Sequence, residues 1–437
     1  MRVLILAHDF PPLNSIGGRR PYSWYKHFPQ WGIYPVVITK SWEETSGSTQ
    51  EIAAQRGAGK IISEESPDRT LIRVPLRKTI SEKLLARYGD SRFRLLRRML
   101  TFLYQVLSQV SPLFDKNEIL YTAAKKYLKT HRVDFIIATG EPFILFKHAH
   151  MLSRKFKIPW AADFRDGWYL NHITAQRTGL ARTFIWQWEY YFEKKYISTC
   201  EFMISVDPIL SAKLEALHYK KAYIIYNGFE ELLPPDVPRN SSGPLVLCHG
   251  GTLYPGHQTE ALLQAVAELD EARLIKPGDL RLLFLGVEFY PEQFDRLISY
   301  AASARKYLET SKRLPREQAL QIIQSSDFLI VFTDRSTPVL PSKVYEYLAS
   351  RRPAMVILND HSMLSELVTR LRAGIVVESV EHLKHVLLEK IEAKKNNLLL
   401  FTGELNEEEA LFYSRENQAH LLATILKKEF ARWKQHH

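Results

Sequence analysis

Residues 2–18 read Arg-Val-Leu-Ile-Leu-Ala-His-Asp-Phe-Pro-Pro-Leu-Asn-Ser-Ile-Gly-Gly, an apolar run that leads into a turn containing prolines and glycines. The run Arg2–Ala7 predicts a short buried strand because its interior is continuously apolar. The residues that follow predict a helix to about Trp31, with Gly32 as its stop. A strand, a glycine turn and a helix in this order are typical of a parallel sheet that is covered by helices on both faces.

The same alternation of apolar runs and helical patterns continues along the chain in two series. The first series predicts further strands at Pro35–Thr39, Leu71–Val74, Phe135–Ala138, Trp160–Phe164, Phe202–Ser205 and Ala222–Tyr226. The second predicts strands at Leu245–Cys248, Leu280–Leu285, Phe328–Phe332, Ala354–Ile357 and Gly374–Val377, and its clearest helices at Gln258–Leu269, Pro315–Gln324 and Pro341–Ser350. The proline-rich stretch Leu232–Gly243 separates the series and indicates a linker.

Two such series predict an α/β protein with two Rossmann-like, doubly wound parallel-sheet domains that face one another across a cleft. We place the first domain at residues 1–230 and the second at residues 231–406. We expect a final helix, at about 407–437, to pack back on the first domain. Ligands of these sheets bind at the carboxyl ends of the strands, so the cleft is the expected site.

Composition excludes several classes of protein. A chain of 437 residues with 46% apolar residues can bury substantial cores, which excludes wholesale disorder and favours two or three domains. Cys200 and Cys248 have no paired spacing, so we expect no zinc or disulfide framework and a reducing compartment. No uncharged apolar run reaches the ~18 residues of a membrane span, and Arg2–Ala7 is too short for a signal peptide. These features predict a cytoplasmic protein.

The formal net charge of +11 calls for an anionic partner or surface. Nucleic acid, anionic lipid and phosphorylated metabolites all qualify, and charge alone does not choose among them.

The glycine turn after the first strand is one candidate for phosphate binding. Gly17 and Gly18 precede the predicted helix, so backbone N–H groups and the helix amino terminus can approach a phosphate. The spacing is not the Gly-x-Gly-x-x-Gly of dinucleotide-binding proteins, and a plain tight turn explains the pair as well. Arg19 and Arg20 either hold phosphate oxygens or lie solvated on the first helical turn.

Polar side chains also follow two later strands of the first series, in the motifs Thr-Gly-Glu-Pro-Phe and Arg-Asp-Gly-Trp. Glu141, Asp163, Arg165, Asp166 and Trp168 fall at strand carboxyl ends, where an α/β sheet places its chemistry. Carboxylates accept hydrogen bonds from sugar hydroxyls, and an indole covers the apolar side of a sugar ring. The alternative is an Asp–Arg pair that stabilises the loop and caps the next helix.

From Ser336 the chain reads Ser-Thr-Pro-Val-Leu-Pro-Ser-Lys-Val-Tyr-Glu-Tyr-Leu-Ala-Ser, a loop that leads into a helix opening near Pro341. Lys343 and Glu346 share one helix face. The lysine suits a phosphate, and the glutamate suits the paired hydroxyls of a ribose. The alternative is a surface ion pair between the two, which the apolar residues around them disfavour.

Taken together, these motifs resemble the retaining glycosyltransferases of family 4, the group-1 type with the two-domain GT-B fold. The resemblance covers nearly the whole chain, and it rests on five motifs in the right order: the loop Pro11–Gly18, Ala-Asp-Phe-Arg-Asp-Gly-Trp at Ala162–Trp168, Tyr-Asn-Gly-Phe at Tyr226–Phe229, Gly-Gly-Thr-Leu-Tyr at Gly250–Tyr254, and Pro-Ser-Lys-Val-Tyr-Glu-Tyr-Leu-Ala-Ser at Pro341–Ser350.

The resemblance implies transfer of a sugar from a nucleotide-sugar donor to a glycan or lipid-linked acceptor, with retention, in cell-surface polysaccharide biosynthesis. It implies no cofactor and no metal, because N–H groups and cations neutralise the leaving diphosphate. Glu346 matches the second glutamate of the family's Glu-x7-Glu motif and would bind the ribose. The other residues expected to bind the donor are Gly17, Gly18, Gly251, Thr252, Ser342 and Lys343, and the candidate catalytic residues are Asp166, Arg165 and Glu141.

Three departures from the family pattern matter. Pro338 stands where the first glutamate of the motif would fall. The family's Arg and Lys after the first strand of the second domain are replaced by Thr252 and, near Gly256, at most by His257, so Lys343 is our candidate for the missing charge. Many relatives carry a histidine where this chain has Arg165 followed by an aspartate.

A basic and apolar region at residues 84–114 predicts a peripheral contact with anionic lipid, at the inner face of the cell membrane. Packing of the same region against the first domain is the alternative.

Two other functions remain open. An epimerase or hydrolase of GT-B architecture would act on the nucleotide sugar itself. A non-catalytic nucleic-acid binder is disfavoured, because the basic residues are spread over the chain and no nucleic-acid-binding motif is present, so we expect no nucleic-acid partner.

Overall fold

The structure, a computed structural model, describes residues 1–13, 15–44, 49–171, 180–234, 243–334 and 340–436. The chain divides into two compact units. Unit 1 comprises Met1–Asn227 with Arg415–His437, and unit 2 comprises Gly228–Ser414. Most of the predicted linker Leu232–Gly243 lies outside the described residues, as does Pro338.

Unit 1 contains an eight-stranded sheet, in the order β3-β4-β2-β1-β5-β6-β7-β8. Only β3 runs antiparallel to its neighbour; the other pairs described are parallel. The strands are β1 (Arg2–Leu6), β2 (Tyr34–Lys40), β3 (Ile62–Ser66), β4 (Arg69–Val74), β5 (Phe135–Thr139), β6 (Trp160–Asp163), β7 (Phe202–Ser205) and β8 (Ala222–Ile224).

Unit 2 contains a six-stranded parallel sheet, in the order β11-β10-β9-β12-β13-β14. Its strands are β9 (Leu245–Gly250), β10 (Leu280–Leu285), β11 (Leu308–Thr310), β12 (Phe328–Phe332), β13 (Ala354–Ile357) and β14 (Gly374–Val377). The predicted strands of both units are therefore confirmed to within two residues at each end.

Helices alternate with these strands. In the described part of the chain they are α1 (Ile16–His27), α2 (Thr49–Ala54), α3 (Ile80–Tyr88), α4 (Arg94–Val110), α5 (Glu118–Leu128), α6 (Ile144–Phe156), α7 (Leu180–Ile197), α8 (Pro208–His218), α9 (Thr259–Glu271), α10 (Pro291–Ile298), α11 (Ala302–Arg305), α12 (Arg316–Ser325), α13 (Lys343–Ser350), α14 (Met363–Arg370), α15 (Val380–Lys395), α16 (Glu407–Leu411) and α17 (Arg415–His436). The final helix predicted at about 407–437 is thus two helices: α16 belongs to unit 2, and α17 to unit 1.

Both faces of the unit 1 sheet are buried, as the continuous apolar strands require. Val3 and Ile5 of β1 pack on one face, in a cluster that includes Leu422 and Leu426 of α17. Leu4 and its neighbours pack on the other face, beneath α5 and α6.

Each sheet reverses its direction of strand addition at one point. In unit 1 the chain leaves β1 toward β2, and β5 then pairs on the other side of β1; in unit 2, β9 is the corresponding strand, between β10 and β12. Crevices for ligands form outside the carboxyl ends of the strands at such switch points. The two places to look for a site are therefore the carboxyl end of β1 with β5, and that of β9 with β12.

Candidate functional site

The glycine turn of unit 1 differs from the expectation. Gly17 and Gly18 lie inside the first turn of α1 rather than before it, because Ser15 is the helix cap and its Oγ accepts a hydrogen bond from the Gly17 N–H at 3.1 Å. A Cβ on Gly18 would lie 3.0 Å from the Phe10 backbone nitrogen, and a Cβ on Gly17 would lie 1.8 Å from Nη1 of Arg165. Both glycines therefore allow close packing of the helix start against its neighbours.

The three candidate catalytic residues come together at the carboxyl ends of β5 and β6. The Arg165 guanidinium donates hydrogen bonds to the carbonyl oxygens of Gly140 and, from Nη2 at 2.9 Å, of Glu141. Much of its hydrogen-bonding capacity thus serves to hold the β5 loop against the residues that follow β6. This contact fits the alternative of a loop-stabilising arginine, although its partners are carbonyl groups rather than an aspartate.

The side chains of Asp166 and Glu141 are both exposed on this edge of unit 1. Desolvation by the surrounding protein, together with the negative charge of Glu141, raises the pKa of the Asp166 carboxyl from 3.8 to about 6. Two carboxyl groups near one another at a strand edge can accept hydrogen bonds from the hydroxyls of a sugar, and Asp166 can also hold a proton near neutral pH.

Arg20 neither binds phosphate nor lies in solvent, the two roles the sequence left open for it. It is 3% exposed and forms an ion pair with Asp163, which is fully buried. Nε and Nη2 approach Oδ1 at 2.9 and 2.8 Å, and Nη1 donates to the carbonyl oxygen of Ile225 at 2.6 Å. The guanidinium thus ties α1 to the carboxyl ends of β6 and β8, and the sequence offered no signal that paired the two charges.

In unit 2, a tight turn follows β9 at the switch point. Gly251 has a φ of +96°, a backbone conformation that favours glycine. The preceding Gly250 N–H donates to the buried hydroxyl of Tyr347 at 2.9 Å, which fixes the end of β9 against α13. The turn therefore lies against α13.

Lys343 joins these two elements. Its Nζ lies 3.0 Å from Nε2 of His249 and donates to the carbonyl oxygen of Thr252 at 3.2 Å. Nδ1 of His249 lies 3.1 Å from the carbonyl oxygen of Ile330, an acceptor only, so the proton resides on Nδ1 and Nε2 accepts from the lysine. The ammonium group is thus positioned at the turn before any ligand arrives.

Burial sets the charge state of this cluster. Desolvation lowers the pKa of Lys343 from 10.5 to about 7, although the negative charge of Glu346 partly opposes the change. Burial and the positive charge of Lys343 hold the pKa of His249 well below its usual value. The same two causes lower the pKa of His257 to about 4, so that ring is neutral at pH 7 and does not replace the missing cation.

Ser342 and Glu346 complete the predicted donor site. Ser342 is the cap residue of α13, and its side chain makes no capping hydrogen bond to the helix. Glu346 lies in the first turn of α13 and is partly buried. Lys343 does not form the surface ion pair with Glu346 that was the alternative, because its Nζ is directed to His249 and Thr252.

Among the described residues, one group has the spacing of metal ligands. Asp115, Glu118 and His148 lie in unit 1 with their ligand atoms within 4.8 Å of one another. His148 Nε2 is 2.7 Å from Asp115 Oδ2, so the two buried side chains already satisfy each other in a hydrogen bond.

The region 84–114 contains a helix, α4, whose polar side rather than its apolar side faces the rest of unit 1. The polar face of α4 points into unit 1: Arg97 is buried and donates to Asp90 at 2.6 Å, and Gln109 accepts from the Tyr196 hydroxyl at 3.1 Å. The apolar face is exposed, with Leu95 73% and Met99 57% accessible. Its other exposed members are Leu96, Leu103 and Val110.

The alternative, packing of this region against the first domain, therefore holds for the polar side of α4, where Lys147 also donates to the Ser108 carbonyl oxygen at 2.7 Å, while the apolar side is left exposed. No helix in the described part of the chain is both long and apolar enough to cross a bilayer.

In sequence, the chain matches no protein-family model and no curated protein. Its structure is similar to several solved structures over nearly the whole length of both chains, among them the following three. Sucrose-phosphate synthase from Thermosynechococcus elongatus aligns at a TM-score of 0.61 and 14% identity, over 99% of this chain and 100% of that one. A trehalose-6-phosphate protein from E. coli bound with UDP-2-fluoro glucose aligns at 0.60 and 11%, over 98% and 99%. Anabaena HepE in complex with UDP and glucose aligns at 0.56 and 13%, over 98% and 100%. The two α/β units of this chain therefore have the GT-B fold.

Proposed function

We propose that the chain is a glycosyltransferase that takes its sugar from a nucleotide-sugar donor. One observation carries the proposal: a preorganised lysine sits at the switch point of unit 2 in a fold shared with proteins solved with UDP, UDP-2-fluoro glucose or UDP and glucose. As in the resemblance to family 4, we assign retention of configuration and a glycan or lipid-linked acceptor in cell-surface polysaccharide biosynthesis.

The donor diphosphate is assigned to unit 2. Lys343, the Thr252 N–H and the amino terminus of α13 all lie at one sheet edge, and each favours negative charge. Gly251 shapes the turn, since its own N–H already donates to the Leu285 carbonyl oxygen at 2.9 Å. Glu346, one helical turn into α13, is assigned to the ribose hydroxyls. The roles of Gly17 and Gly18 stay a prediction from the sequence, because in unit 1 their N–H groups donate to the Oγ and the carbonyl oxygen of Ser15.

The proposed reaction needs no carboxylate nucleophile. The bond between the anomeric carbon and the diphosphate oxygen breaks, and Lys343 and backbone donors stabilise the charge that develops on the leaving diphosphate. The acceptor oxygen bonds to the anomeric carbon on the same face, and its proton passes to an oxygen of the diphosphate. Asp166 and Glu141 bind hydroxyl groups at the unit 1 edge, and Arg165 holds their loop. We propose that these cations and N–H groups stabilise the leaving diphosphate without a metal or another cofactor.

A panel of nucleotide sugars tests the proposal. The protein is incubated with uridine, guanosine, adenosine and thymidine diphosphate sugars, with and without glycan acceptors, and free nucleoside diphosphate is measured. We expect release with one base, dependent on Lys343 and unchanged by EDTA. Release of free sugar or an epimer without any acceptor would instead identify the hydrolase or epimerase alternative. No release or binding in folded protein would contradict the donor assignment.

We also propose that the exposed apolar face of α4 rests on an anionic membrane surface, at the inner face of the cell membrane. Arg94 and Arg98 of α4 and Arg92 just before it are exposed, and the chain has a net charge of +11. An interfacial helix buries apolar side chains among lipid headgroups while its basic residues meet anionic lipid. Because the polar face of α4 is already paired within unit 1, the apolar face is the one left to meet lipid.

Vesicle flotation tests this surface. We expect binding to phosphatidylglycerol-containing vesicles and little binding to pure phosphatidylcholine. Leu103→Asp should abolish binding, whereas Gln105→Asp, the same charge change at an exposed position outside the apolar face of α4, should preserve much of it. Vesicle binding that is unchanged by Leu103→Asp would contradict the proposal. So would a dimer in solution that this variant dissociates, since the face would then be an interface between two copies.

A further inference from the structure

Unit 1 carries a second polar cluster, at the carboxyl ends of β1 and β2, that the donor site does not use. His8 and Asp9 follow β1, and Lys40 is the last residue of β2. Trp42 lies two residues farther along the chain. Lys40 is only 2% exposed, whereas the other three are partly accessible. The cluster thus extends from a buried lysine to the protein surface.

The carboxylates around Lys40 are all matched by other partners. Asp9 accepts from the Ser15 hydroxyl at 2.6 Å and lies 2.7 Å from His8 Nδ1. The other two carboxylates near Lys40 also have partners of their own. Glu82 binds Lys116 and the Thr79 N–H. Asp115 binds His148 and the Asn117 N–H.

Lys40 is the unmatched member of the cluster. No described residue accepts a hydrogen bond from its ammonium group. Burial, and then the positive charge of Lys116, lower the pKa of Lys40 from 10.5 to about 7, although Glu82, Asp115 and Asp9 oppose the change. Because the Lys40 side chain is almost entirely buried and no described residue accepts from its ammonium group, an anion that supplies an acceptor would gain a charge-assisted hydrogen bond.

The neighbours of Lys40 suit a sugar. The indole Nε1 of Trp42 donates to the carbonyl oxygen of His8 at 2.7 Å, and the two rings meet edge to face at 5.2 Å. The indole is thereby held in place with part of its surface accessible, as a platform for the apolar side of a sugar ring. Burial and the charge of Lys40 lower the pKa of His8 to about 4, so its ring is neutral and can accept from a hydroxyl group.

We propose that this cluster binds an acceptor sugar that carries an acidic group, a phosphate or a carboxylate, and that Lys40 pairs with that group. Trp42 covers the ring, and His8 meets a hydroxyl. The inference rests on the proposed transferase function, because it names the chemical class of the acceptor that a transferase would use. Its geometry does not depend on the donor site, since all its residues belong to unit 1.

Binding of three simple sugars to the full chain tests the inference. Glucose, glucose 6-phosphate and glucuronate are titrated by calorimetry or ligand-observed NMR against wild type, Lys40→Met, Lys40→Arg and Lys60→Met, which removes one exposed unit 1 lysine as a charge control. We expect at least one acidic sugar to bind more tightly than glucose. Lys40→Met should lower the affinity for that acidic sugar about tenfold or more, because one charge-assisted hydrogen bond is lost. Lys60→Met should bind as wild type does, and Lys40→Arg should keep part of the affinity.

The phosphate and carboxylate arms separate the two sources of the acidic group, because the sugar that binds more tightly identifies the class. Thermal melting guards against misfolding: Lys40→Met removes a buried unpaired charge and should melt no lower than wild type. Acidic sugars that bind no better than glucose, or that bind Lys40→Met as well as wild type, would overturn the inference. Nucleoside diphosphate binding on the same samples reports the donor proposal separately, because Lys40→Met should leave it unchanged.

Discussion

Replacement of Lys343 with methionine should remove the cation that the diphosphate meets in unit 2. The ammonium group is already held by His249 Nε2 at 3.0 Å and the Thr252 carbonyl at 3.2 Å, so the ligand does not have to order this side chain. A hydrogen bond to a charged group contributes about 1.5–3 kcal/mol. We therefore expect the Kd for the preferred nucleotide sugar to rise about 10- to 150-fold, measured by isothermal titration calorimetry.

The pH dependence of binding gives a sharper signature of the same residue. Burial lowers the pKa of Lys343 to about 7, so in the free protein the lysine loses its charge as pH rises above 7. The bound diphosphate favours the charged form, and binding must therefore take up a proton above pH 7. Affinity should fall with rising pH, by at most about tenfold per pH unit. A nucleotide sugar is the right ligand because its diphosphate diester does not titrate in this range.

Lys343→Arg is the matched control, because arginine keeps its charge throughout this range. It should flatten the pH dependence while retaining part of the affinity at pH 7. The reasoning is refuted if Lys343→Met binds the nucleotide sugar as tightly as wild type, or if wild-type affinity is flat between pH 7 and 9 in protein that stays folded.

Three further predictions concern unit 1. Arg20→Met or Asp163→Asn should each destabilise the protein by about 3–5 kcal/mol in denaturant unfolding, because one buried charge is left unpaired. A double variant that loses less unfolding free energy than the two single variants together would show that the two residues are coupled, and additive losses would contradict their coupling. Asp166→Asn should lower turnover, and wild-type activity should rise with pH through about 6 as the Asp166 carboxyl ionises. A pH profile of activity with no step near pH 6 would show that this carboxyl takes no part in the reaction. Gly18→Ala should cost about 1–3 kcal/mol, since its Cβ would meet the Phe10 backbone at 3.0 Å, and unchanged unfolding would show that the contact relaxes freely.

The buried strands could be predicted from the sequence because they are continuous apolar runs with both faces covered. Two edge strands escaped this signal: β3 carries Glu64 and Glu65 and is mostly exposed, and β11 has only three residues, Leu308–Thr310. Edge strands pair on one side and need no apolar run. The break between α16 and α17 at residues 412–414 was also missed, since the helical pattern of the sequence continues through it.

Local motifs located the candidate site, but not the partners of its side chains. The pattern around Lys343 correctly predicted a helix start, whereas its contact with His249 joins residues far apart in the sequence and depends on the pairing of β9 with β12. Arg20 on α1 shows the same limit, because its partner Asp163 lies at the end of β6, 143 residues farther along the chain. Lys40 gave no sequence signal, since a lysine at a strand end is ordinarily exposed.

A crystal structure of the chain with the nucleotide sugar chosen by the panel tests the donor site most directly. The account predicts a diphosphate oxygen about 2.7–3.2 Å from Lys343 Nζ, with ribose hydroxyls at Glu346. A nucleotide bound elsewhere on the chain, with Lys343 still directed only to His249 and Thr252, would contradict it.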